Sequence, residues 1–154
     1  MKGTTDIEGL RAAAARLAGG VVEQVRVPLD GGGRFGLQVR LTRLLDDGRR
    51  QVRRRWLAVH APAWRLDRPD GVVAASGDRE RRLAEDLAVL TGRAITGVHV
   101  LAPGWDTLFR FGELELTVFP LRHHTPSAAP DWTFRRPSGG RLVVGPGARW
   151  EMTA

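Results

Sequence analysis

The stretch that decides the fold occurs twice. Residues 61–71 read APAWRLDRPDG and residues 129–139 read APDWTFRRPSG, with Ala, Pro, Trp, Arg, Pro and Gly in matching places. The match extends outward from both. Upstream, LAGGVVEQVRV at 17–27 lies over LTGRAITGVHV at 90–100, superposing Leu17 on Leu90, Gly19 on Gly92, Val25 on Val98 and Val27 on Val100. Downstream, VVAASG at 72–77 lies over LVVGPG at 142–147.

Helices precede both copies. Ile7, Leu10, Ala14 and Leu17 make an apolar stripe at helical spacing, and Leu83, Leu87 and Leu90 make its counterpart. Gly19 and Gly92 follow as residues able to adopt the left-handed conformation that ends a helix. Thr5 with Glu8 reads as a capping box, and Asp78 as the cap of the second helix. Strands are expected at 21–28, 35–45, 51–60, 63–67 and 72–75, then at 94–101, 106–111, 114–119, 131–135 and 141–144. Alternation carries these assignments: Phe35, Leu37, Val39 and Leu41 alternate with polar or small residues, as do Leu114, Leu116 and Val118. The DDG of 46–48 and the FGEL of 111–114 supply hairpin turns.

The fold class is therefore α+β, an internally duplicated helix-plus-antiparallel-strands unit with two pseudo-symmetric halves sharing one core. Residues 1–154 form a single compact domain, with repeats over approximately 5–77 and 78–150. A unit of that size is near the lower limit for a self-sufficient core, which is why the halves are expected to share one. Trp64 and Trp132 are read as structural, each filling the same packing site in its own half. The competing reading makes them exposed platforms for a ligand or a base.

The chain carries 24 Lys and Arg against 17 Asp and Glu, a formal charge of +7, and Lys2 is its single lysine. Such a bias fits GC-rich coding as well as phosphate or carboxylate recognition. Zero cysteines exclude disulfides and thiolate metal sites. Apolar runs stop well short of the ~20 residues a bilayer span needs, so a cytoplasmic protein without membrane contact is expected.

Charge concentrates in RLTRLLDDGRRQVRRRW at 40–56, where seven arginines meet Asp46 and Asp47. On a hairpin, alternate arginines project to one face, and Arg40, Arg43, Arg49, Arg50, Arg53 and Arg55 are the candidate partner-binding residues. The partner would be an acidic protein, or alternatively a phosphate backbone. Such arginines also serve simply to keep a sheet edge from pairing with another chain. The second half has Glu113 and Glu115 at the corresponding hairpin.

Catalytic patterns are missing from the sequence. His60, His123 and His124 with Asp131 would have to converge to form a metal or hydrolytic site, and adjacent histidines on extended chain point apart. DGGGRFG at 30–36 and VVGPGARW at 143–150 lack the strand-to-helix setting and the Lys-Ser/Thr of a phosphate loop. No nucleophile elbow surrounds Ser76, Ser127 or Ser138. No cofactor, no metal and no enzymatic activity are expected.

LTGRAITGVHV, LFRFGELELTVF and PDWTFRRPSGGRLVVGPG together resemble a class of small bacterial α+β domains, some of which resemble immunity proteins of toxin systems. The resemblance covers about residues 83–150 and implies a non-enzymatic protein-binding module, with no catalytic residues to carry over.

Overall fold

A computed structural model describes residues 3–27, 36–44, 50–121, 123, 129–136 and 139–154, with the backbone alone for 43, 44 and 50–53. The order of elements is α1 (Ile7–Ala15), β1 (Gly20–Arg26), β2 (Leu37–Leu44), β3 (Arg50–Val59), β4 (Ala63–Arg68) and β5 (Gly71–Ala75). Then come α2 (Glu80–Leu87), a 3-10 turn (Ala88–Leu90), β6 (Gly97–Leu101), β7 (Asp106–Phe111), β8 (Leu114–Phe119), β9 (Trp132–Arg135), β10 (Arg141–Val144) and β11 (Trp150–Thr153). Among the described residues, two helices and two antiparallel sheets make a mixed α+β fold.

One sheet has six strands in the order β1-β2-β3-β9-β10-β11, the other five in the order β5-β4-β8-β7-β6. Each is a three-strand meander from one half of the chain joined to strands from the other half. The Trp strands therefore cross over: β4, with Trp64, pairs with β8, and β9, with Trp132, pairs with β3. This corrects the expectation that each Trp serves its own half. The registers correspond, since Trp64 stands opposite Val118 and Trp132 opposite Val59, each one residue after the start or at the start of its strand.

Inner faces of the two sheets meet in one core. Leu37, Val39, Leu41, Leu57 and Val59 from one side and Leu66, Phe109, Leu116 and Val118 from the other are buried. Trp132 is 0% exposed and Trp64 3%, so both indoles are interior. The Trp132 ring meets Phe109 edge-on, with centroids 5.1 Å apart, and its Nε1–H donates to Thr107 Oγ1 at 3.1 Å. Thr107 in turn donates to the Trp105 carbonyl, so the indole's polar edge is satisfied across the sheets.

The helices flank the sheets. α1 packs on β6, where Arg11 donates to the Val100 carbonyl through Nε and Nη2, and Trp150 of β11 donates from its indole to the Asp6 carbonyl. α2 packs on β5 and β1. The connections that leave the helices meet each other. Gly19 N–H donates to Ile95 O and Gly92 N–H to Val22 O, while Val22 N–H donates to Arg93 O and Ile95 N–H to Gly20 O. Val21 and Ala94 face each other at the centre. Gly19 and Gly92 have φ of 93° and 84°, conformations that need glycine.

Some local expectations are corrected. The N-cap of α1 is Asp6, not Thr5, and no side chain caps it; Glu8 instead pairs with Arg11 at 2.6 Å. Arg79 precedes α2, and the Asp78 carboxylate accepts from Ala75 N–H, tying the end of β5 instead of capping the helix. β6 begins at Gly97, since residue 94 is engaged with β1. β11 begins at Trp150, the last residue of VVGPGARW, and runs through residues for which no strand is expected. The DDG turn and most of DGGGRFG lie outside the described residues.

Candidate interaction face

Strand alternation gives the six-stranded sheet a wet outer face. Leu41 and Leu57 point inward, so Arg40 and Trp56, directly opposite each other, point out. Pairing then builds one row across every strand of the sheet: Gln24 opposite Arg40, Arg40 opposite Trp56, Trp56 opposite Arg135, Arg135 opposite Arg141, and Arg141 opposite Thr153. Arg54 is exposed beside Trp56 on β3, and Arg26 is exposed at the far end of β1. Glu23, beside Arg40, and Glu151, opposite Val143, are carboxylates on this side of the sheet.

Charge along the row is not uniform. Arg40 Nε lies 3.2 Å from Glu23 Oε2, and its guanidinium sits over the Trp56 ring at 5.8 Å from the centroid. Its charge is answered internally, and it holds the indole. Arg26, Arg54, Arg135 and Arg141 have no ion pair among the described residues. On the five-stranded sheet the outer face is neutralised: Arg65 pairs with Asp67 at 2.8 Å and Arg110 with Glu115 at 3.3 Å. The Asp67 partner holds the Arg65 guanidinium above its ordinary pKa through hydrogen bonding and charge.

The predicted arginines divide between surfaces. Arg55 stands opposite the inward Leu41 and so lies on the other face of the sheet from Arg40 and Trp56. Arg43, Arg50 and Arg53 are located on β2 and β3 by their backbone alone, and Arg49 lies outside the described residues. Arg135 and Arg141 belong to the row but were missed by the sequence reading. Their signal was alternation with Phe134 and Leu142, which are buried beside them.

His60 borders the same face. It is half-buried, its Nε2 lies 3.4 Å from Thr133 Oγ1, and its backbone N–H donates to the Asp131 carbonyl. Burial first, and the nearby Arg141 charge second, lower its pKa from the ordinary value. Asp131 is buried with its carboxylate against Gly145, and the His123 carbonyl lies against Gly147. Among the described residues no three His, Asp or Glu side chains form a group able to hold a metal; His124 lies outside them. No helix among the described residues is long and apolar enough to cross a membrane.

Comparison with known proteins returns no matching family, no matching curated protein and no matching solved structure. The resemblance of residues 83–150 to bacterial α+β domains thus rests on the sequence motifs alone.

Proposed function

We propose that the chain is a non-enzymatic protein-binding module, of the immunity-like kind its motifs suggest, taking an acidic protein on the outer face of its six-stranded sheet. The observation that carries this reading is the row Arg40–Trp56–Arg135–Arg141, an indole flanked by arginines with the last two unpaired among the described residues. Trp and Arg are the side chains most enriched where protein interfaces concentrate their binding energy. Unpaired arginines on a flat face also speed encounter with an acidic surface. Single-stranded nucleic acid is served less well, because successive bases need successive aromatic platforms. Here the row offers one ring, Trp56. The lack of cysteine suits a cytoplasmic setting.

The two halves are, on this account, copies of one unit related by a pseudo-two-fold axis through Val21 and Ala94. The support is reciprocity: under the alignment of Gly19 with Gly92, each of the four hydrogen bonds between the connections has its counterpart with the roles exchanged. Equivalent positions can then be compared. Trp56 and Arg135 on the six-stranded sheet correspond to Glu115 and Asp67 on the other, by their places relative to Val59 and Trp132 and to Val118 and Trp64. One copy of the row became basic and aromatic while the other became acidic and self-paired, the divergence expected when one face acquires a partner.

The test is capture from a lysate of the native host after nuclease treatment, comparing the natural chain with an Arg135→Glu/Arg141→Glu variant. An acidic protein retained by the first and lost by the second is expected. Capture that disappears with nuclease, or that the variant keeps, contradicts the reading.

A further inference from the structure

The spacing of the row points to the shape of the partner, and we infer that it presents an acidic α-helix lying across β3, β9 and β10, with an apolar side chain over Trp56. This rests on the acidic-protein reading and narrows it. Trp56, Arg135 and Arg141 stand on three successive strands, so they repeat at about 4.8 Å, with about 9.6 Å from the indole to Arg141. A helix rising 1.5 Å per residue sets i and i+3 or i+4 about 4.5–6 Å apart and i and i+7 about 10.5 Å apart. One face of a helix therefore meets all three positions in step: an apolar residue at i, and carboxylates at i+4 and i+7. An extended segment sets same-face residues about 6.7 Å apart and is roughly 4 Å out of step by the third position. The long stems of Arg135 and Arg141 follow the sheet's twist of about 20–25° per strand without losing contact.

Arg40 completes the fit from the other side. Held by Glu23 and seated over Trp56, it fixes the indole before binding, so little ordering remains when the apolar side chain arrives. Within the row, the arginines without an ion pair among the described residues lie on the β9 and β10 side of the indole, which gives the helix a direction: apolar end toward β3, acidic end toward β10.

Labelled Ala-based peptides, titrated against the full chain at low ionic strength and read by fluorescence anisotropy, test this. One peptide carries Leu at i with Glu at i+4 and i+7. A second has the same composition with the Glu and Leu positions shuffled, and a third has the first pattern broken by a central proline. The first is expected to bind at least ten-fold tighter than the other two, and Arg135→Gln/Arg141→Gln is expected to erase that preference. Equal binding of all three acidic peptides overturns the helical partner while leaving the acidic-protein reading standing. No binding of any acidic peptide, with or without uptake of a single-stranded oligonucleotide, overturns both.

Discussion

Trp56 and Arg135 stand directly opposite each other on β3 and β9, which joins the first half of the chain to the second. The outer row of the six-stranded sheet exists because β9 pairs with β3 and β10 with β9. Among the described residues, Trp56 comes from the first half, and Arg135 and Arg141, which have no ion pair, come from the second.

Reversing the charge of this row separates binding from folding. Arg135 and Arg141 are exposed at strand positions whose neighbours Phe134 and Leu142 carry the packing. Arg135→Glu/Arg141→Glu is expected to change stability by no more than about 0.5 kcal/mol per site while lowering partner capture at least ten-fold. Arg65→Glu/Arg110→Glu on the opposite sheet is expected to leave capture unchanged. Urea unfolding beside a binding titration checks both halves of the statement.

The two buried indoles differ in their polar edges. Trp132 Nε1–H donates to Thr107, whereas Trp64 Nε1 is buried with no partner among the described residues. Replacement by Phe keeps a ring but removes the N–H. Trp132→Phe is expected to cost about 1 kcal/mol more than Trp64→Phe, the net worth of a typical hydrogen bond. Trp132→Ala is expected to cost about 3–5 kcal/mol. Chemical denaturation of the three variants is the measurement.

Gly145 is fixed by two constraints at once. Its φ is 76°, and a methyl group there would collide with the Asp131 carboxylate. Gly145→Ala is expected to lose at least about 2 kcal/mol, combining left-handed strain with displacement of a buried carboxylate. Gly77→Ala, where an added carbon meets nothing within 4 Å, is expected to stay within about 1 kcal/mol of the natural chain. Thermal and urea unfolding distinguish them.

Acid weakens the fold through His60. Its folded pKa is lowered, by burial and then by Arg141, so the unfolded chain takes up a proton at a higher pH than the folded one does. Stability is therefore full above the ordinary imidazole pKa of about 6.5 and falls as pH drops from there toward the folded pKa. His60→Gln is expected to flatten the slope of unfolding free energy against pH in that window. An unchanged slope would show that other groups carry it.

Much of this fold is legible from alternation. β2 and β8 lie where Leu37, Val39 and Leu41, and then Leu114, Leu116 and Val118, alternate with polar neighbours, because a half-buried strand writes its own period of two. The two Trp motifs mark β4 and β9 for the same reason. The pairing of β3 with β9 and β4 with β8 is not legible, since periodicity says which face is buried but not which distant strand lies beside it. Local charge therefore points to one hairpin, Arg40 through Arg55, whereas Arg135 and Arg141, two exposed members of the basic face, arrive from the other half. β11 escaped because Trp150, Glu151, Met152 and Thr153 are all half-buried at a sheet edge and carry no alternation.

Backbone amide exchange of the full chain, with and without the helical Leu–Glu peptide, tests the central claim most directly. Added protection confined to β3, β9 and β10 is the result predicted. Protection on β6, β7 and β8, or on the two helices, would contradict an interaction face on the six-stranded sheet.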